Sequence, residues 1–166
     1  MTDRYLPGRP FPPYAFLPGR DPHPTRDPEG HSYGTEEGPA DYLPADRWRD
    51  NEDYLFGVDL YNHGYLWEAH EAWEGLWHAA KHDGHQREHL QGLIQCAAAC
   101  LKVRMEQPRG LARLSELGTG RLETVAKEAG GSFMGVALFE WIAEIRAFAA
   151  SEPRSADARP MLELDL

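Results

Sequence analysis

The stretch YLWEAHEAWEGLW, residues 65–77, carries the side chains whose types and spacing could do chemistry. His70 and Glu74 are one helical turn apart, so on a helix both side chains can reach the same metal ion. Glu71 lies beside them, where zinc helices of the H-E-x-x-H pattern carry their general base. Glu74 replaces the second histidine of that pattern and keeps a ligand atom. The stretch therefore predicts a divalent metal site, for example for zinc, with His70 and Glu74 as ligands and Glu71 as the base.

Such a metal site needs a third ligand, and His63 is the candidate closest along the chain. It ends the preceding predicted helix and could approach His70 across the bend at Gly64. His78 flanks Glu74 one turn further along the helix. The sequence does not choose between these positions, so His63 stays a candidate ligand.

The remaining histidines fall into two groups. Three lie in or beside a charged loop and are predicted to be solvated: His82, His85 and His89. His23 and His31 belong to the N-terminal segment, which would carry them over the metal site if that segment packs on the helices. In that case the segment would act as a lid.

A second polar stripe follows the apolar face of the next predicted helix. It contains Gln91, Gln95 and Lys102, beside an apolar arc that includes Ile94 and Leu101. If the two helices form an antiparallel hairpin, this stripe would meet the His/Glu side chains at the edge of the core. We expect either a small pocket for an ion or a polar ligand there, or a structural network in which Lys102 neutralises a carboxylate.

The elements that must position these residues are helices. Ten of the thirteen prolines precede residue 45, so residues 1–45 form an extended arm, and its spread of aromatic residues indicates that it packs on the body. Helical periodicity follows, which predicts an all-α, compact bundle over residues 46–152 and a frayed tail over 153–166. The predicted helices cover residues 49–62, 65–80, 88–105, 110–128 and 136–150. The last has a buried stripe of Leu138, Ile142, Ile145 and Phe148.

Composition restricts the partners and the compartment. The formal charge is -10, from 17 Lys and Arg against 27 Asp and Glu, which disfavours nucleic acid and anionic membrane surfaces. The N-terminus lacks the apolar segment of a secretory signal, so we expect a cytoplasmic protein. Cys96 and Cys100 are predicted to be reduced core thiols.

The segments FGVDLYNHGYLWEAHEAWEGLWHAA, QGLIQCAAACLKVRM and GLARL together resemble the domain of unknown function 309 family of bacteria and archaea. That resemblance covers about residues 50–150 and implies a compact all-α bundle. The family also carries "predicted metal-dependent hydrolase" labels, which rest on the E-A-H-E residues. The site residues that the resemblance implies are Asn62, Trp67, Glu68, His70, Glu71, Trp77, Gln91, Gln95 and Lys102. In GVALFEW, an alanine stands where the family often has an acidic residue.

Three functions stay open at this point. A metal-dependent hydrolase would use Glu71 to activate water on an ion held by His70 and Glu74. A non-catalytic binding module would hold a small polar ligand or a peptide, with Trp67 and Trp77 as walls. In the third reading the polar residues form a structural network, and the exposed helices serve a homo-oligomer or another partner.

Overall fold

The computed structural model describes residues 3–36 and 38–166. Met1, Thr2 and Glu37, which the sequence assigns to the arm, lie outside the described residues. Within the described chain, a 3-10 helix at Ala45–Asp50 precedes five α-helices, and a short antiparallel hairpin separates the last two. The elements are α1 Glu52–Asn62, α2 Leu66–Ala79, α3 Gly84–Arg104, α4 Pro108–Ala129, β1 Ser132–Phe133, β2 Val136–Ala137 and α5 Leu138–Ala150. The predicted all-α bundle is confirmed.

Each helix packs against the next along the chain, as short connections between amphipathic helices require. The centre of the core takes a large, almost fully buried side chain from every helix: Tyr54, Trp73, Leu90, Leu122 and Ile145. The predicted apolar stripe of α5 is also confirmed, since its four residues are all buried.

Two glycines set the distance between α3 and α4. A Cβ atom at Gly92 would lie 2.6 Å from the side chain of Leu122, and one at Gly118 would lie 2.8 Å from Sγ of Cys96. Any larger residue would push the two helices apart. A glycine inside a helix is destabilising in isolation, whereas Gly118 permits the close approach of α3 and α4.

Capping side chains explain where two helices begin. Asn51 caps α1 by accepting a hydrogen bond from the Tyr54 backbone N–H at 3.1 Å, so this helix starts later than the predicted Arg49. Asp83 caps α3 by accepting from the Gln86 N–H at 3.1 Å. The third helix therefore starts at Gly84, earlier than predicted, and the polar loop before it is shorter. Pro108 begins α4 rather than ending α3.

The described arm lies on the outside of α1 and α2. A buried carboxylate of α1, Asp59, accepts hydrogen bonds from the backbone N–H groups of Tyr5 and Leu6 at 2.8 and 2.9 Å. Further along the arm, the ring of Phe11 stacks on Tyr65 with 4.8 Å between centroids. The arm thus has ordered contacts with the bundle.

The C-terminal segment is packed, so the prediction of a frayed tail is wrong. Leu162 and Leu164 are buried, and the side chain of Asn62 holds the Leu162 backbone by donating to its carbonyl and accepting from its N–H. Arg159 is buried as well and donates to the carbonyl oxygens of Tyr61 and Asn62. A guanidinium at these last carbonyls of α1 stabilises the helix end.

Candidate functional site

Three side chains of α2 converge on one point at the surface. His70 lies 3.2 Å from Glu74, measured from Nε2 to Oε2, and its Nδ1 lies 3.5 Å from Oε1 of Glu71. One ligand atom from each of the three residues falls within 4.8 Å of the others. Helical spacing explains the pairing of His70 with Glu74, and the long side chain of Glu71 reaches the same point from the next position. We call these residues the α2 triad.

The α2 triad is partly withdrawn from solvent. The side chains of His70, Glu71 and Glu74 are 31%, 40% and 41% exposed. Burial lowers the pKa of His70, and the nearby Glu74 carboxylate acts in the opposite direction. A neutral imidazole is the form that binds a metal ion, so this environment favours metal binding.

The structure brings together two of the three predicted ligands. His63 is outside the triad: its ring contacts Phe11, with 5.1 Å between centroids, and its Nδ1 lies 2.9 Å from the Asp59 carbonyl oxygen. Glu71, which the sequence predicts as the base, offers the third ligand-type atom of this cluster. The three members of the triad were therefore all singled out from the sequence, and the role of Glu71 as the base stays a prediction.

A buried His/Glu pair lies one turn before the triad, where the arm crosses α2. Glu68 accepts a hydrogen bond from the Phe16 backbone N–H at 2.6 Å, and its Oε1 is 3.6 Å from Nε2 of His31. Their side chains are only 5% and 3% exposed. Burial raises the pKa of Glu68, while the Phe16 N–H and His31 act to lower it. Glu68 was predicted as a binding residue, and the structure shows that it anchors the arm.

Two cavities flank the α2 triad on the side of the arm. The first, of about 420 Å³, lies between the arm and helices α1 and α2, and Glu68 and Glu71 line it. The second, of about 630 Å³, is lined by Glu71, Glu74 and His78, with Pro39 and Ala40 opposite. Glu71 borders both cavities. The described arm thus forms one wall of each, next to the triad.

The polar stripe of α3 makes contacts of its own. Lys102 donates to Oε1 of Gln107 at 2.9 Å, and its aliphatic stem lies over Gly110, so its ammonium group is held at the α3–α4 turn. Gln91 and Gln95 are half-buried on α3, and Oε1 of Gln95 has no hydrogen-bond partner in the described structure. The hydrogen-bond partner of Lys102 in the described structure is therefore Gln107, and not the α2 carboxylate that the sequence predicts.

The predicted tryptophan walls lie at opposite ends of α2. Trp67 lines the first cavity and packs edge-on against Phe16 and His23 of the arm. Trp77 lies near the C-terminal end of the helix, where the Arg87 guanidinium sits 4.0 Å from its ring centroid. Of the two tryptophans, only Trp67 therefore lines the first cavity.

Sequence reasoning missed the role of His89 and the role of Asp59. His89 was predicted to be solvated but is fully buried, with Nε2 3.1 Å from the Tyr54 hydroxyl, and burial lowers its pKa to about 3. Asp59, which holds the arm, is the single charged residue in the run FGVDLYN. A lone carboxylate on a buried helix face was the signal that could have found it.

Fold and site together define a helical-bundle protein that carries a one-helix His/Glu/Glu cluster beneath an N-terminal arm. Residues 54–114 match the family model described as Domain of unknown function (DUF309), which confirms the family resemblance over that segment. The match includes α2 and α3 and thus the whole triad. No curated protein and no solved structure matches the chain. None of the described helices is long and apolar enough to span a bilayer.

Proposed function

We propose that this protein binds a divalent metal ion at the α2 triad, with His70, Glu71 and Glu74 as ligands. The observation that supports this proposal is the convergence of three ligand atoms of suitable type within 4.8 Å. An imidazole with two carboxylates suits zinc, manganese or iron better than calcium or magnesium, which prefer oxygen ligands alone.

Ligands from one helix approach the ion from one side. An ion held by these residues would border the cavities that Glu71 and Glu74 line. Catalytic zinc sites likewise use three protein ligands and leave a position for water or substrate. The proposed ion is therefore open to a small polar ligand.

Metal-dependent hydrolysis is the second candidate, and the position of Glu71 at the border of both cavities favours it. In that mechanism His70 and Glu74 hold the ion, and Glu71 takes the proton from the attacking water. The variant Glu71→Gln separates the two roles. Weaker metal binding would identify a ligand, whereas unchanged metal binding with lost turnover of an ester or amide substrate would identify a base.

Elemental analysis of untagged protein, purified without a metal column and then equilibrated with zinc and desalted, tests the proposal. We expect about one equivalent of zinc, and less than about a tenth of that in His70→Ala/Glu74→Ala. The matched control is His85→Ala/Glu128→Ala, which removes an exposed His–Glu pair, 2.6 Å apart, for which the described residues offer no third ligand. Equal zinc in the wild type and the triad variant would overturn the proposal.

A further inference from the structure

The first cavity has the size and the walls of a small-molecule site. Its volume of about 420 Å³ falls in the range of ligand pockets, which is roughly 300–1,000 Å³. One wall is the arm, with Thr25, His31 and Ser32, and the other is α2, with Trp67 and Glu68. We call this cavity the arm groove.

An incompletely bonded polar pair borders the arm groove. His31 is 3% exposed in its side chain, and its Nε2 forms no hydrogen bond within the described residues. The neighbouring Glu68 oxygen, at 3.6 Å, is beyond hydrogen-bond length. A buried ring nitrogen without a partner is unfavourable, so a group that bonds to it from the groove would stabilise the site.

The contact at the other ring nitrogen of His31 permits the tautomer in which Nε2 is an acceptor. Nδ1 lies 2.7 Å from the Ser32 hydroxyl oxygen. When Nδ1–H donates to that oxygen, Nε2 becomes an acceptor. In that tautomer, Nε2 and the Glu68 carboxylate oxygens are all acceptors. A donor group with more than one hydrogen can therefore bond to both residues. A nitrogen about 2.9 Å from both acceptors satisfies them together.

The charge of the groove wall selects a cation. Four carboxylates line it, namely Asp41, Asp53, Glu68 and Glu71, against one guanidinium, that of Arg9, in the described lining. Arg9 is held at the rim, 2.8 Å from Asp53 and 4.1 Å from the Phe56 ring centroid. The excess of negative charge attracts cations and repels anions.

Trp67 adds an aromatic surface to the same groove. Ammonium groups and the methylene carbons next to them bind well against indole rings. A polar corner, a negative wall and an indole together match an amine better than they match a sugar or a carboxylic acid.

We propose that the arm groove binds the primary ammonium group of a small organic amine, with the Glu68 carboxylate and His31 Nε2 as acceptors and Trp67 beside the alkyl chain. Phe16 and His31 belong to the arm, and Glu68 belongs to α2, so the site exists only while the arm is in place. The proposal does not depend on a metal ion in the α2 triad.

The test is isothermal titration calorimetry of the full chain in EDTA with 1,4-diaminobutane, with butyrate and 1-butanol as anionic and neutral probes of similar length. We expect the diamine to bind at millimolar concentration or tighter, and the other two probes to bind at least about tenfold more weakly. Glu68→Gln keeps an acceptor for the Phe16 N–H but loses the charge, and should weaken diamine binding at least about tenfold.

The matched control is Glu128→Gln, which makes the same change at an exposed carboxylate that does not line the groove. Diamine affinity should change less than about threefold in this variant. If Glu68→Gln fails to fold, His31→Phe removes Nε2 and keeps a ring against Tyr14, and the same tenfold loss is expected.

Three results would overturn the proposal: no heat of binding with the diamine, butyrate binding as tight as diamine binding, or an equal loss in Glu128→Gln and Glu68→Gln. Because EDTA is present throughout, none of these outcomes bears on metal binding at the α2 triad. Zinc binding by Glu68→Gln, measured separately, should match that of the wild type.

Discussion

The two sides of helix α2 differ in chemistry although their residues alternate along one short stretch of sequence. The core side carries Leu66, Ala69, Trp73 and Leu76, all 2% exposed or less. The outer side carries Glu68, which is buried by the arm, and the partly exposed α2 triad. The core side is filled by the bundle itself, whereas the outer side depends on a segment about fifty residues away in sequence. Stability and binding can therefore be tested separately in one helix.

The largest expected effect is on the core side. Trp73 is fully buried, its indole N–H donates to the Tyr54 carbonyl at 3.3 Å, and the ring fills the space that Gly57 leaves open. Trp73→Ala should lower the free energy of unfolding by about 3–5 kcal/mol. Urea denaturation measures this loss. A loss below about 1 kcal/mol would show that the core side of α2 is not packed as described.

The contacts between the arm and α1 should make the next largest contribution to the free energy of unfolding. Asp59→Ala leaves the partly buried N–H groups of Tyr5 and Leu6 without their acceptor and should cost about 2–3 kcal/mol. Limited trypsin digestion should then cut the arm faster. The control is Asp53→Ala at the rim, whose exposed ion pair with Arg9 contributes less than about 1 kcal/mol. Equal trypsin sensitivity in the two variants would contradict the anchoring role of Asp59.

Acid should destabilise the protein through the buried His89. Its folded pKa of about 3 is below the ordinary value of 6.5, so between these pH values the unfolded state binds more protons than the folded state. Stability should therefore fall as the pH falls through this window, by at most about 1.4 kcal/mol per pH unit from this residue.

Urea denaturation from pH 7 to pH 4 measures that slope. His89→Gln should reduce the slope, because an amide does not titrate, and His82→Gln, which changes an exposed histidine, should leave it unchanged. An identical slope in wild type and His89→Gln would contradict the role given to His89.

The smallest stability effect is expected in the α2 triad. His70 is about a third exposed, and its contacts with Glu71 and Glu74 are ones that water can replace. His70→Ala should change the stability of the metal-free protein by less than about 0.5 kcal/mol. A loss of about 1–3 kcal/mol would instead support the reading of these residues as a structural network.

Much of the fold could be predicted because local pattern determines it. The apolar arc of α2 and the buried stripe of α5 follow from helical periodicity alone. The members of the α2 triad are also near neighbours on one helix, so spacing was enough to group His70, Glu71 and Glu74. Helix starts were less accurate, because the capping roles of Asn51 and Asp83 were not read from the sequence.

The rest of the site depends on contacts that spacing does not reveal. His31 and Glu68 are far apart in sequence. The arm, which carries His31 to Glu68, has no periodicity from which its path could be predicted. Helical spacing pointed to α3, the next helix, as the surface facing the triad. Both cavities that the triad residues border are instead walled by the arm. The prediction of a solvated His89 was wrong because the residue lies next to a charged loop in sequence. In the structure Phe133 of the β1–β2 hairpin packs against its ring, and His89 is buried.

Anomalous X-ray diffraction at the zinc edge, from crystals grown with one equivalent of zinc, would test the metal site most directly. Zinc binding at the α2 triad should give one strong peak about 2.0–2.2 Å from a ring nitrogen of His70 and from carboxylate oxygens of Glu71 and Glu74. The peak should be absent in crystals of His70→Ala/Glu74→Ala. No peak at the triad, or a stronger peak at the exposed His85–Glu128 pair, would contradict it.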